Sequence, residues 1–249
     1  MKRKTKPKKT RKKQIKKSTS ERVPSGVSEL DGFMEGGFEL GSVNLIIGSA
    51  GSGKSIFATQ FIVNGINKYD ENGLYICFEE KKDWFFRHMS RFGWDLKELE
   101  NKKKFMFLEY NPEQVKKLLV EGGGAIEAIV EKHNIKRLVI DSLSAFELLF
   151  RDEGSKKDAV LKLFELLRKW NITVLVTGEL EESRIERQES GGLAFEADSV
   201  ILLYFIKQKN IRKRALEILK MRGTKHAKKI FPLDITSSGI KIYPGETIF

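Results

Sequence analysis

Val43-Asn44-Leu45-Ile46-Ile47-Gly48-Ser49-Ala50-Gly51-Ser52-Gly53-Lys54-Ser55 is the stretch on which the reading of this chain turns. Val43–Ile47 is a short apolar run of strand character, and residues 54–69 place Ile56, Phe57, Phe61, Ile62 and Ile66 at helical spacing. The eight residues from Gly48 to Ser55 match the Walker A pattern, in the strand-then-helix context that the pattern requires. Its glycines let successive backbone N–H groups turn toward phosphate oxygens, and the helix N-terminus adds a favourable dipole. The nucleotide-binding candidates here are Gly48, Ser49, Ala50, Gly51, Ser52, Gly53, Lys54, Ser55 and Ile56. Lys54 can reach the β- and γ-phosphates of ATP, and the Ser55 hydroxyl can ligate Mg²⁺.

Outward from this loop, strands and helices alternate, the pattern of a parallel α/β sheet covered on both faces. Leu74–Phe78 reads as a strand, residues 81–92 as an aromatic-rich helix and Phe105–Leu108 as a third strand. Pro112 opens a helix that reaches about His133, with a break at Gly122-Gly123-Gly124. Leu138–Ile140 is a strand ending in Asp141, residues 155–170 form a periodic helix, and Ile172–Val176 is a fifth strand. From residue 198 onward the pattern is all strand: Val200–Phe205, Ala215–Met221, Ile230–Leu233 and Ile240–Tyr243. That switch predicts an antiparallel extension of a parallel core.

Three carboxylates belong with the loop. Asp141 closes an apolar strand where the loops of a parallel sheet gather, the place for an acid that holds Mg²⁺ through water. Glu79 and Glu80 end a neighbouring strand, where one of them can polarise an attacking water as general base. With Lys54 they form the catalytic candidates. Adjacent acids are also common on solvated strand ends. Thr177 is either a sensor of the γ-phosphate or an ordinary strand threonine. Lys220-Met221-Arg222-Gly223-Thr224-Lys225-His226 is either a basic surface turn or a pair of cations directed at a phosphate. His88, His133 and His226 do not form a metal set.

Of 46 Lys/Arg residues, twelve lie in residues 1–22 beside a single acid, Glu21, so the remainder holds 34 bases against 33 acids. The basic character therefore belongs to a tail. With Ile15 as its one large aliphatic residue after Met1, that tail is expected to be disordered and to leave residues 23–249 as one domain. One cysteine, Cys77, excludes an internal disulfide framework and fits a reducing compartment. No apolar run approaches the ~18 residues of a membrane span. A cytoplasmic protein without a membrane partner is expected.

Taken in order, these motifs resemble the KaiC-like branch of the RecA/DnaB ATPases over about residues 22–249. The resemblance is carried further by Val23-Pro24-Ser25-Gly26-Val27-Ser28-Glu29-Leu30-Asp31 with Gly36-Gly37-Phe38, by Phe78-Glu79-Glu80, and by Phe92-Gly93-Trp94-Asp95-Leu96. It implies a RecA-like fold with catalytic glutamates at Glu79 and Glu80. It also implies a homo-oligomer, usually a hexameric ring, with ATP at each interface. Lys220, Met221 and Arg222 would then reach the neighbouring subunit's ATP, with Thr224, His226 and Thr236 lining that nucleotide. Arg91 falls where the family carries a small polar residue beside the base, and Ser237 where an Asp is common.

The function expected is a slow regulatory or scaffolding ATPase. The alternatives are a DNA-directed recombinase or motor and a nucleotide-binding module with negligible turnover. A nucleic-acid channel through the body would draw on residues 142–157 and 180–197, which together are net acidic. The tail itself can engage nucleic acid or another polyanion by counterion release. With about half of its charges engaged on B-DNA, log affinity should fall against log salt with a slope of about −5. Removing the tail should flatten that slope in a fluorescence-anisotropy titration and leave ATP hydrolysis unchanged. ATP-dependent DNA binding by the truncated protein would make the body itself a nucleic-acid machine.

Overall fold

A computed structural model describes residues 21–111, 113–114, 122–179 and 196–247. Three expectations lie outside those residues in whole or large part: the tail up to residue 20, the helix opened by Pro112 as far as residue 121, and the loop 180–195.

The strands are β1 (Arg22–Val23), β2 (Phe38–Glu39), β3 (Val43–Gly48), β4 (Asn72–Cys77), β5 (Phe105–Glu109), β6 (Ile135–Asp141), β7 (Thr173–Glu179), β8 (Ser199–Gln208), β9 (Ile211–Met221), β10 (Ile230–Thr236) and β11 (Gly239–Ile242). The helices are α1 (Lys54–Tyr69), α2 (Lys82–Ser90), α3 (Leu96–Asn101), α4 (Gly124–Lys132), α5 (Leu143–Glu147) and α6 (Glu153–Lys169). Nine strands form one sheet in the order β11-β10-β9-β8-β3-β7-β6-β4-β5, and β1 pairs with β2 apart from it. From β8 to β5 the pairing is parallel; β9, β10 and β11 extend it antiparallel. The expected extension is present, but β8 is its hinge: it lies parallel to β3 and antiparallel to β9. Glu21 and Arg22, read as tail, belong to the fold. Glu21 accepts a backbone hydrogen bond from Leu40 at 3.0 Å, and Arg22 pairs with Glu39 in β1–β2. A tail deletion should therefore stop at residue 20.

The central strands are apolar on both faces, as a doubly covered parallel sheet requires. Leu45, Ile47, Leu138, Ile140, Val174 and Val176 pack in a core with Ile126 of α4, Phe146 of α5, and Val160 and Phe164 of α6. Ile46, Tyr75, Val139 and Leu175 face the other way, into a core with Phe57, Phe61 and Ile62 of α1 and Phe85 of α2. Side-chain caps start three of the helices: Asp95 accepts from Glu98 N, Ser142 from Ala145 N and Asp152 from Ser155 N.

Arg137 ties the N-terminal segment to α1. Its side chain has no exposure, and its Nε donates to Glu71 at 2.5 Å. Nη1 donates to the Pro24 and Phe61 carbonyls at 2.8 and 2.9 Å, and the guanidinium lies 4.5 Å from the Phe61 ring. Gly65, inside α1, makes room for it, since a Cβ there would stand 2.2 Å from Arg137 Nε. Alanine in a helix interior normally gains about 1 kcal/mol over glycine. Gly65→Ala should instead cost about 1–3 kcal/mol, because the buried guanidinium has nowhere to go. Urea denaturation checks this, and a stabilised variant would refute the packing argument.

Candidate functional site

Register gathers the chemistry at one end of the sheet. Gly48 lies beside Glu179 and Leu203, and Cys77 beside Asp141 and Glu109. The loop after β3, the acids after β4, and Asp141 at the end of β6 therefore share the C-terminal ends of the parallel strands, where α/β sheets bind ligands.

The loop after β3 fits phosphate in its shape and its spare polar groups. A Cβ on Gly48 would stand 2.4 Å from the Leu203 carbonyl and 2.5 Å from Ser52 Oγ. Gly51 and Gly53 sit at φ +78° and +108°, a region side chains disfavour. The buried hydroxyls of Ser49 and Ser52 have no hydrogen-bond partner among the described residues. The first backbone N–H groups of α1 have no intrahelical acceptor, as at any helix start. Lys54 is buried, its Nζ donating to the Gly48 and Ser49 carbonyls at 3.1 Å each and lying 3.4 Å from Glu179 Oε1. Ser55 is half-buried on the first turn of α1, and Ala50 is exposed on the loop. Ile56 packs against the α1-side core. These residues could hold a triphosphate, with Lys54 exchanging carbonyl and carboxylate partners for phosphate oxygens.

Asp141 is held from two sides. The Tyr75 hydroxyl donates to its Oδ2 at 2.5 Å and the Thr177 hydroxyl to its Oδ1. Burial, then the Asp141 charge, pushes the Tyr75 phenol well above its usual range, so Tyr75 stays a donor. Thr177 is fully buried with its hydroxyl on Asp141, which makes it an orienting group for that carboxylate. Asp141 and Ser55 are the residues that could hold Mg²⁺. Among the described residues no cluster of three His, Cys, Asp or Glu forms a separate metal site.

The structure separates the paired glutamates. Glu79 Oε1 accepts from the Ser142 hydroxyl at 2.8 Å, which places it on the residue next to Asp141. Glu80 turns to α2, where its Oε1 lies 2.6 Å from His88 Nδ1. Its backbone N–H contacts the Cys77 sulfur at 3.3 Å, and burial pushes that thiol up to about 11.

The remaining candidates divide between the two ends of the sheet. Ile235 and Ile240, flanking the β10–β11 turn, lie 3.3 and 3.5 Å from a Cβ built on Gly53. Thr236, whose hydroxyl donates to the Gly239 carbonyl at 2.9 Å, therefore stands beside the chain's own loop. Arg91 caps α2, and the segment after it brings Trp94 against Gly239 on the same side. The basic turn is elsewhere. Met221 pairs with Ser199, which pairs with Asn44 at the start of β3. Gly48 lies four positions on from Asn44, about 13 Å along the strand. Lys220 donates to the Ala197 carbonyl at 2.9 Å, and Arg222 Nη1 lies 3.4 Å from Asp198. Burial and the neighbouring Arg222 lower the Lys220 pKa. The Thr224 hydroxyl donates to the Arg222 carbonyl, and the His226 ring contacts the Ala227 carbonyl at 3.0 Å. The resemblance grouped Thr236 with this turn; the fold places the two at opposite ends.

Glu179, Ser142 and Asp198 escaped the sequence reading. Glu179 could have been found by extending the fifth strand two residues past Thr177, into register with Gly48. Ser142 and Asp198 carry no local signal, since a hydroxyl or an acid beside a strand end is commonplace.

Comparison with known proteins agrees with this geometry. The family described as "ATPase: KaiC" matches residues 23–247. The circadian clock protein KaiC3 of Synechocystis is 36% identical over 232 residues, 90% of this chain and 46% of that protein. The circadian clock oscillator protein KaiC of Parathermosynechococcus lividus is 34% identical, over 89% of this chain and 43% of its own length. The chain thus spans about half the length of these curated relatives. A crystal structure of a KaiC-like protein from the archaeon Pyrococcus horikoshii superposes with a TM-score of 0.80 at 34% identity, covering 90% of this chain and all of that one. The chain belongs to the KaiC family of ATPase domains.

The split between the glutamates yields a test. Glu79→Gln should keep ATP binding and lower hydrolysis by roughly 10²–10⁴-fold, the usual contribution of a general base. Glu80→Gln should stay within about tenfold of wild type, because it alters only a partly exposed contact with His88, away from Asp141. Phosphate-release assays on both variants decide it, and the reverse ranking would move the base to Glu80.

Proposed function

We propose that this KaiC-family ATPase domain hydrolyses ATP at sites shared between neighbouring copies of itself, and that the cycle serves as a slow regulatory or scaffolding switch for a partner. One observation carries the shared site: the phosphate loop and the Lys220–His226 turn lie at opposite ends of one sheet. Phosphoryl transfer gains chiefly from positioned positive charge, and these cations cannot reach their own chain's loop. A head-to-tail arrangement of copies brings the basic turn of one against the loop of the next, and such an interface forms a ring when its rotation closes. Six subunits rest on the resemblance, and a cytoplasmic setting on the single cysteine, Cys77.

Within that site the loop from Gly48 to Ser55 cradles the triphosphate, Lys54 neutralises its outer phosphates, and Thr236 and Arg91 line the same subunit's side. Ser55 and Asp141 would hold Mg²⁺, which would supply charge neutralisation for the phosphates. Glu79 accepts the proton of the attacking water, oriented by Ser142. Lys220 and Arg222 come from the adjacent copy, with Thr224 and His226 around them.

A second reading, a nucleic-acid-directed ATPase, is favoured by the tip of the β8–β9 hairpin, where Lys207, Lys209, Arg212 and Lys213 are all exposed. Nucleic-acid binding that survives deletion of the tail and is lost on charge reversal at the tip would promote this reading.

The shared site is tested by mixing subunits. Lys54→Ala should abolish tight ATP binding, and Arg222→Ala should lower turnover well below wild type, each as a pure assembly. Co-assembled, they create interfaces pairing an intact loop with an intact arginine, and hydrolysis should recover to a measurable fraction of wild type. Verified mixed assemblies without recovery would mean that Arg222 acts within its own chain or not at all.

A further inference from the structure

Three cations converge on the short segment Glu196-Ala197-Asp198 that leads into β8. Arg168 of α6 donates to the Glu196 carbonyl at 2.5 Å, and Lys220 to the Ala197 carbonyl at 2.9 Å. Arg222 is fixed twice. Its backbone N–H donates to the Asp198 carbonyl at 2.8 Å, and its guanidinium lies 3.4 Å from Asp198 Oδ1. Arg168 also lies 3.4 Å from that oxygen.

The other oxygen of Asp198 is committed to β3. Val43 N–H donates to Asp198 Oδ2 at 2.9 Å, and Asp198 N–H donates back to the Val43 carbonyl at 2.9 Å. The carboxylate thus bridges the first residue of the strand that ends in the phosphate loop and the arginine of the basic turn. Its side chain is about a quarter exposed, so these contacts compete only partly with water.

We propose that Asp198 is a positioning residue for Arg222, holding the guanidinium in the attitude in which it enters the next subunit's ATP site. This deepens the shared-site reading and rests on it. A long arginine side chain on a turn has many rotamers, and the freedom lost on engaging a partner opposes the contact. Asp198 restricts that freedom in advance. It also references Arg222 to β3, so the cation offered to the neighbour is held in register with the strand that carries the chain's own loop.

Asp198→Asn is the informative variant, because its amide oxygen can still accept from Val43 N–H while the charge that orients Arg222 is gone. Asp198→Ala, which loses both, is its companion, and circular dichroism melts confirm that each is folded. Asp198→Asn should leave the KM for ATP within about threefold and lower kcat by roughly 10–100-fold, the scale of a small misplacement of a group that acts on the transition state. The decisive arm is co-assembly with Lys54→Ala. The Asp198→Asn subunit has an intact loop, and the Lys54→Ala subunit offers it a correctly held Arg222, so hydrolysis should rise above that of either variant alone. If Asp198 serves only its own chain through Val43, co-assembly restores nothing, and the positioning role is overturned. Unchanged kcat in Asp198→Asn overturns it as well. The pairing of Arg222→Ala with Lys54→Ala, run in parallel, separates the failures. Recovery there without recovery for Asp198→Asn sinks the positioning role alone, while no recovery in either pairing sinks the shared site and this role with it.

Discussion

The strand β3 is enclosed on all sides, between β8 and β7 within the sheet and between two apolar cores across it, and this enclosure governs where the chain can place polar chemistry. Val43 through Gly48 are all buried, so every polar group along the strand must find a protein partner. At its start Asn44 accepts from the Ser199 hydroxyl at 2.6 Å and donates to the Val174 carbonyl at 3.1 Å, knitting the three adjacent strands together. At its far end the chain leaves the sheet through a loop whose Ser49 and Ser52 hydroxyls have no partner among the described residues, and through the open start of a helix. A strand satisfied at one end and unsatisfied at the other can accept an anion only at the second.

That asymmetry explains why so much of the fold was legible in sequence. Strand–glycine loop–helix is a local arrangement whose residues must have particular conformations, so residues 43–69 announce it directly. The parallel core follows because Leu45, Ile46 and Ile47 are apolar on both faces, which a singly covered sheet does not need. Less legible were the elements whose stability comes from distant partners. The two-residue strands β1 and β2 have no periodicity to read, and Arg22 gains its place from Glu35 and Glu39. β8 looked like the first of an antiparallel set because its apolar run is the same whether its neighbour runs up or down; only its pairing with β3 decides the direction.

The site shows the same division. Lys54, Ser55 and Asp141 could be named from spacing because their chemistry requires one position relative to a strand end. The choice between Glu79 and Glu80 could not, since adjacent residues differ only in which way they point, and that is set by Ser142 and His88 from other elements. Thr177 shows the limit of reasoning from residue type. A hydroxyl at a strand end beside a phosphate loop suggests a sensor, yet its neighbour across the sheet is Asp141. Together with Tyr75 it orients a buried carboxylate by donating to both oxygens, a service that solvent would otherwise supply.

On the shared-site reading, β3 becomes a mechanical element as well as a scaffold. Its last residue opens the loop that receives phosphate, and its first residue is hydrogen-bonded to Asp198, which holds the arginine presented to the next copy. Those ends are five residues apart, about 17 Å of extended backbone. A central strand in a close-packed sheet does not stretch or bend independently of its neighbours, because packed interiors transmit displacement with little compression. A shift of the loop on phosphate binding or release therefore has a short, stiff route to Val43 and the arginine. Coupling of this kind requires two arrangements whose balance both sites bias. The polar knot at the base of β3 is where the second arrangement would have to differ, since there Asp198 holds Val43 with one oxygen while Arg168 and Arg222 share the other.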